Sequence, residues 1–72
     1  MAKNQGALVY DTNTGHYNIR FDLACYYGGL HCGNCLDVRV GGRWIPTRIE
    51  YDGGWYLVGV DTDILDGLVV RI

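Results

Sequence analysis

Short runs of alternating apolar and polar residues, cut by glycine pairs, restrict this chain to short antiparallel strands. Leu36, Val38 and Val40 alternate with Asp37 and Arg39, and Gly41-Gly42 follows them. A period of two puts side chains on opposite faces of a strand, and a two-residue hairpin turn needs positive φ at both central positions. His16–Phe21 repeats the pattern, with Tyr17, Ile19 and Phe21 on one face and His16, Asn18 and Arg20 on the other. Ala7–Tyr10 reads as its hairpin partner across the Asp11–Gly15 turn, where Asp and Asn bond their own backbone. Arg43–Tyr51, Trp55–Val60 and Leu68–Ile72 complete the predicted strands, and Pro46 marks an edge, a bulge or a bend because it has no N–H to donate. Residues 1–6 read as a loose arm, and Asp61–Gly67 as an acidic turn with room for a short helical turn. Asp22–Cys35 breaks the alternation, with one helical turn predicted near Asp22–Cys25. The predicted fold is mainly β: one domain over 1–72, a small bent antiparallel sheet or a partly open SH3-like barrel of five to six strands, with a zinc-stabilised loop over 22–35.

The zinc expectation comes from size and from cysteine placement. A chain of 72 residues has a marginal core and commonly carries a staple. Cys25, Cys32 and Cys35 are its three cysteines, and an odd, clustered set in a reducing compartment points to metal rather than to disulfides. Cys32-Gly33-Asn34-Cys35 is a C-x-x-C, whose two thiolates suit tetrahedral zinc, and Cys25 adds a third. His31 is the expected fourth ligand. Asp22, three residues before Cys25, is the alternative. His16 is set aside, because a strand of roughly six residues puts it about 15–20 Å from Phe21. Zinc here is structural, contributing about 10–16 kcal/mol to folding on the scale of small zinc peptides. A thioredoxin-like redox motif would need a βαβ setting, which the pattern lacks.

A two-residue turn at Gly41-Gly42 pairs Arg39 with Trp44. Continuing the alternation gathers Val38, Ile45, Thr47, Ile49, Tyr51, Tyr56 and Val58 on a core face. Asp37, Arg39, Trp44, Arg48, Glu50, Trp55 and Leu57 fall on the other. Trp and Arg dominate binding hot spots, so Trp44, Trp55, Arg39, Arg48 and Leu57 are the candidate partner-binding residues. The same face can instead be a second small core, covered by the cysteine loop or the N-terminal hairpin. No Ser-His-Asp grouping, phosphate-cradling glycine loop or paired-carboxylate motif stands out, and Asp61, Asp63 and Asp66 lack the spacing of a calcium loop. The chain reads as a binding protein and not an enzyme. A net charge of −2 argues against nonspecific nucleic-acid binding. With no membrane-length apolar run and no signal peptide in the sequence, a cytoplasmic monomer is expected.

The strings Tyr26-Tyr27-Gly28-Gly29-Leu30-His31-Cys32-Gly33, Trp44-Ile45-Pro46-Thr47-Arg48-Ile49-Glu50-Tyr51, Gly54-Trp55-Tyr56-Leu57-Val58-Gly59 and Leu65-Asp66-Gly67-Leu68 resemble a family of very short uncharacterised proteins of Gram-positive bacteria, their phages and integrative elements. The resemblance spans most of residues 7–72. Within that neighbourhood the chain is also similar to streptococcal phage anti-CRISPR proteins. That resemblance implies a zinc-containing phage inhibitor in the bacterial host cytoplasm. Its partner would be the host type II CRISPR-Cas effector nuclease, whose target DNA binding or cleavage it would obstruct. A small β-barrel that contacts nucleic acid, or serves a regulatory complex of a mobile element, is the alternative function, with Trp44, Trp55, Arg39 and Arg48 as stacking groups.

Overall fold

The computed structural model describes residues 4–72. Seven strands form one antiparallel sheet: β1 (Gln5–Asp11), β2 (His16–Asp22), β3 (Cys25–Tyr26), β4 (Cys35–Val40), β5 (Arg43–Tyr51), β6 (Trp55–Leu57) and β7 (Val69–Arg71), in the order β3-β2-β1-β7-β4-β5-β6. The mainly β expectation holds. The sheet is strongly bent and does not close. Neither expected helical turn forms: Asp22–Cys25 is a tight turn from β2 into β3, and 61–67 contains no helix.

The hairpins follow from local chemistry. Gly41 and Gly42 have φ of 56° and 78°, as a two-residue turn of this hand requires, so Val40 faces Arg43 and Arg39 faces Trp44. Pro46 sits where β5 has only β4 beside it, because β6 pairs with β5 at 49–51 alone; its missing N–H leaves no ladder bond unmade there. Residues 4–6, read from sequence as part of a loose arm, are paired. Asn4 and Ile72 exchange both backbone bonds, and Gly6 lies opposite Val70. Residues 1–3 of that arm lie outside the described residues.

Strand alternation aims Leu8, Ile19, Leu36, Val38, Ile49, Leu57 and Val70 inward, and Leu30 and Leu65 join them from the connections. Close packing at one crossing demands glycine. A Cβ on Gly6 would lie 2.5 Å from the Arg20 carbonyl oxygen and 2.7 Å from a methyl of Ile19.

The connection 27–34 bridges the two arms of the bent sheet. Tyr27 N–H donates to Ile19 O (2.9 Å) and Leu30 N–H to Tyr17 O (2.8 Å), binding it to β2. Gly33 N–H donates to Ile49 O (2.8 Å) and Ile49 N–H to Asn34 O (3.0 Å), binding it to β5. Asn18 Oδ1 accepts from Gly28 and Gly29 N–H at 3.0 and 3.1 Å. Leu30 is fully buried. Backbone bonds, the side chains of Asn18 and Asn34, and one leucine therefore order this irregular segment.

Candidate functional site

The cysteine segment is ordered, but its thiols do not converge. Asn34 N–H donates to His31 O at 3.0 Å, and His31 N–H to Asn34 Oδ1 at 2.7 Å. These bonds make a turn of His31–Asn34, one residue ahead of the Cys32–Cys35 frame that a two-thiolate bite would use. Cys35 already belongs to β4, with its thiol 3.7 Å from Gly33 O. Cys25 pairs with Asp22 at the far edge of the sheet, where Asp22 Oδ1 accepts from Leu23 N–H at 2.8 Å. All three cysteines are exposed, and among the described residues no group of three or more His, Cys, Asp or Glu side chains is placed to hold a metal ion. Cys25, His31, Cys32, Cys35 and Asp22 are thus not gathered into one metal-holding group in this arrangement.

The two tryptophans separate. Trp44 stays on the outer sheet face, where the guanidinium carbons of Arg71 and Arg39 lie 4.4 and 5.3 Å from its ring centroid. Arg71 reaches it across β4 and is steadied by Asp37, Nε to Oδ2 at 2.9 Å. Arg48 shares that face but turns to Glu50 at 3.1 Å. Trp55 and Leu57 belong to the opposite side. The loop Asp52–Gly54 has three residues, so Tyr51 pairs with Trp55 and Ile49 with Leu57. An odd loop inverts the parity that any two-residue turn preserves. Leu57 is 1% exposed and packs in the core, while Tyr56 takes the outward position. The N-terminal hairpin covers Trp55: its indole N–H donates to Gly15 O at 2.9 Å.

This crossing builds the most distinctive surface of the molecule. Trp55 contacts His16 at 5.2 Å, Tyr51 at 5.1 Å and Tyr17 at 6.5 Å between ring centroids, and Tyr17 contacts Tyr10 at 5.2 Å. Three of these contacts (Tyr10–Tyr17, Tyr17–Trp55 and Tyr51–Trp55) are edge-to-face, the favoured geometry for aromatic rings. An open groove of about 640 Å³ runs along them, lined by Tyr10, Gly15, His16, Cys32, Tyr51, Gly54 and Trp55. His31 abuts His16, with centroids 5.6 Å apart. His16 Nδ1 lies 3.1 Å from Leu30 O. A carbonyl only accepts, so Nδ1 is the donor in this bond. The Tyr17 hydroxyl is pushed up from its ordinary pKa by burial first, then by the Asp66 carboxylate and Tyr10. His16, set aside above on strand length, reaches this site because the sheet bends; alternation within one strand carries no signal of that.

A small open β-sheet domain with an aromatic groove at the meeting of its two arms is the class that fold and site define. The chain belongs to the family described as a domain of unknown function, DUF5348, whose model matches residues 6–72. It is 59% identical to a Ruminococcus gnavus protein of known crystal structure, with a TM-score of 0.90 over 94% of this chain and 99% of that one. No curated protein matches it. Among the described residues, no helix is long and apolar enough to cross a membrane.

Proposed function

We propose that this chain is a non-enzymatic binding protein that docks a protein partner in the aromatic groove. One observation carries the reading: the rings of Tyr10, Trp55 and Tyr51 line one open groove, with Tyr17 in contact with both Tyr10 and Trp55. Tyr and Trp supply large contact area with little side-chain entropy to lose, and they dominate binding energy at interfaces. Trp55 is already fixed by its bond to Gly15 O, so its ring needs no ordering on association. His16 is bonded to Leu30 O and the Cys35 thiol to Gly33 O.

The partner follows from the sequence strings alone. Their similarity to phage anti-CRISPR proteins names the host type II CRISPR-Cas effector nuclease, and with it a mobile-element origin and action in the host cytoplasm. Zinc enters this reading only through the cysteine spacing. Calorimetric titration of the purified effector nuclease with the wild-type chain tests the proposal. Saturable binding that weakens about tenfold or more in Tyr51→Ala, as for a hot-spot residue, is the expected result. No binding by the wild-type chain would remove the nuclease as partner.

The Arg39–Trp44–Arg71 stack favours one second reading, a contact with single-stranded nucleic acid on the outer face. There the cations would meet phosphates and binding would fall steeply with salt. A labelled single-stranded oligonucleotide that binds, and loses affinity in Trp44→Ala but not in Tyr51→Ala, would favour it over the groove.

A further inference from the structure

The groove has a chemical preference that its aromatic character alone does not state. Aromatic rings present electron-rich faces and attract cations placed over them. Here the rings are not coplanar: Tyr51 and Trp55 are inclined at 64°, Tyr17 and Trp55 at 80°, and Tyr10 and Tyr17 at 63°. Such angles turn ring faces in several directions, so a guest can meet more than one of them. The guest-facing rings are accessible, with Tyr51 at 56% and Tyr10 at 44% exposure.

Among the described residues, no lysine or arginine lines the groove. Asp66 lies against it, with Oδ1 accepting the Tyr10 N–H at 2.7 Å. Asp52 starts the turn beside Tyr51, and its N–H donates to Gly54 O. The five arginines lie off the groove lining: Arg39 and Arg71 on Trp44, Arg48 on Glu50, Arg43 at the start of β5, and Arg20 on the Asp22 carbonyl, in the neighbouring cleft that Tyr10 also lines.

Resting on the groove as the docking surface, we propose that it captures a cationic side chain, the guanidinium or ammonium of a basic extended segment of the partner protein. Tyr51, Tyr10 and Trp55 supply the ring faces, and Asp52 and Asp66 supply the complementary charge. A neutral residue of the same shape would gain the apolar contact and lose the electrostatic part.

The test uses the full chain and a fluorescein-labelled Gly/Ser peptide carrying two arginines, compared by anisotropy with the same peptide carrying two citrullines. Citrulline keeps the planar, hydrogen-bonding shape and removes the charge. The expected result is saturable binding of the arginine peptide, about tenfold weaker for citrulline and about tenfold weaker for the folded Tyr51→Ala variant, with Trp44→Ala unchanged. Equal binding of both peptides, lost in Tyr51→Ala, would overturn the charge preference and leave the groove as a docking surface. Arginine binding indifferent to Tyr51→Ala would overturn both. Binding of neither peptide would overturn the cation preference.

Discussion

Leu30→Ala should unfold more of this protein than any cysteine substitution. Leu30 is completely buried, at the centre of the segment that joins β2 to β5. Truncating a buried leucine costs about 2–5 kcal/mol, the transfer loss plus the cavity left behind. A domain of 72 residues has roughly 4–11 kcal/mol of total stability at typical values per residue. A central loss of about 3 kcal/mol therefore removes a large part of it and lowers Tm by roughly 12–24 °C. Cys25 and Cys32 are exposed, so Cys25→Ser and Cys32→Ser should each stay within about 0.5 kcal/mol of wild type. A segment organised by zinc would show the opposite ranking, because losing a thiolate forfeits metal-linked folding free energy of about 10–16 kcal/mol. Thermal and urea unfolding followed by circular dichroism measure both. Cysteine variants less stable than Leu30→Ala would refute the reasoning.

Metal removal should leave the far-ultraviolet spectrum and Tm of the purified protein unchanged; cooperative loss of structure on chelation would instead establish a structural zinc. Gly6→Ala should destabilise by about 1–3 kcal/mol, since the added carbon meets a backbone carbonyl at 2.5 Å that no rotamer change relieves. Equilibrium unfolding of the variant measures it, and unchanged stability would show that β1 and β2 separate freely there. The raised Tyr17 pKa means that the native state holds the phenol proton longer than the unfolded chain does. Its contribution is thus complete below the unfolded value of about 10 and is lost as pH rises through the higher native value. Tyr17→Phe should accordingly flatten the alkaline fall in Tm, and an identical alkaline profile would count against the shift.

The hairpins were legible in sequence because glycine position and period-two alternation act locally. Gly41-Gly42 set the β4–β5 register, and the Tyr17-Ile19-Phe21 face of β2 points inward as its alternation implies. The β6 face was misassigned for an equally local reason: a three-residue turn at Asp52–Gly54 reverses parity, moving Trp55 and Leu57 to the side of Ile49. In the cysteine segment the spacing suggests ligands, but it carries no signal of the long-range bonds to Asn18, Tyr17 and Ile49 that order the segment here. The covering of Trp55 by the N-terminal hairpin was one of two alternatives; that Trp44 remains outside beneath two arginines follows from β7, whose position between β1 and β4 pairwise alternation does not specify.

Which face meets the partner is the decisive question. Amide and indole resonances of the labelled chain, followed as the unlabelled effector nuclease is added, answer it directly. Selective broadening at Tyr10, His16, Tyr51 and the Trp55 indole, with Arg39, Trp44 and Arg71 unaffected, is the outcome expected here. Broadening centred on Trp44 and its arginines, with the groove silent, would contradict it.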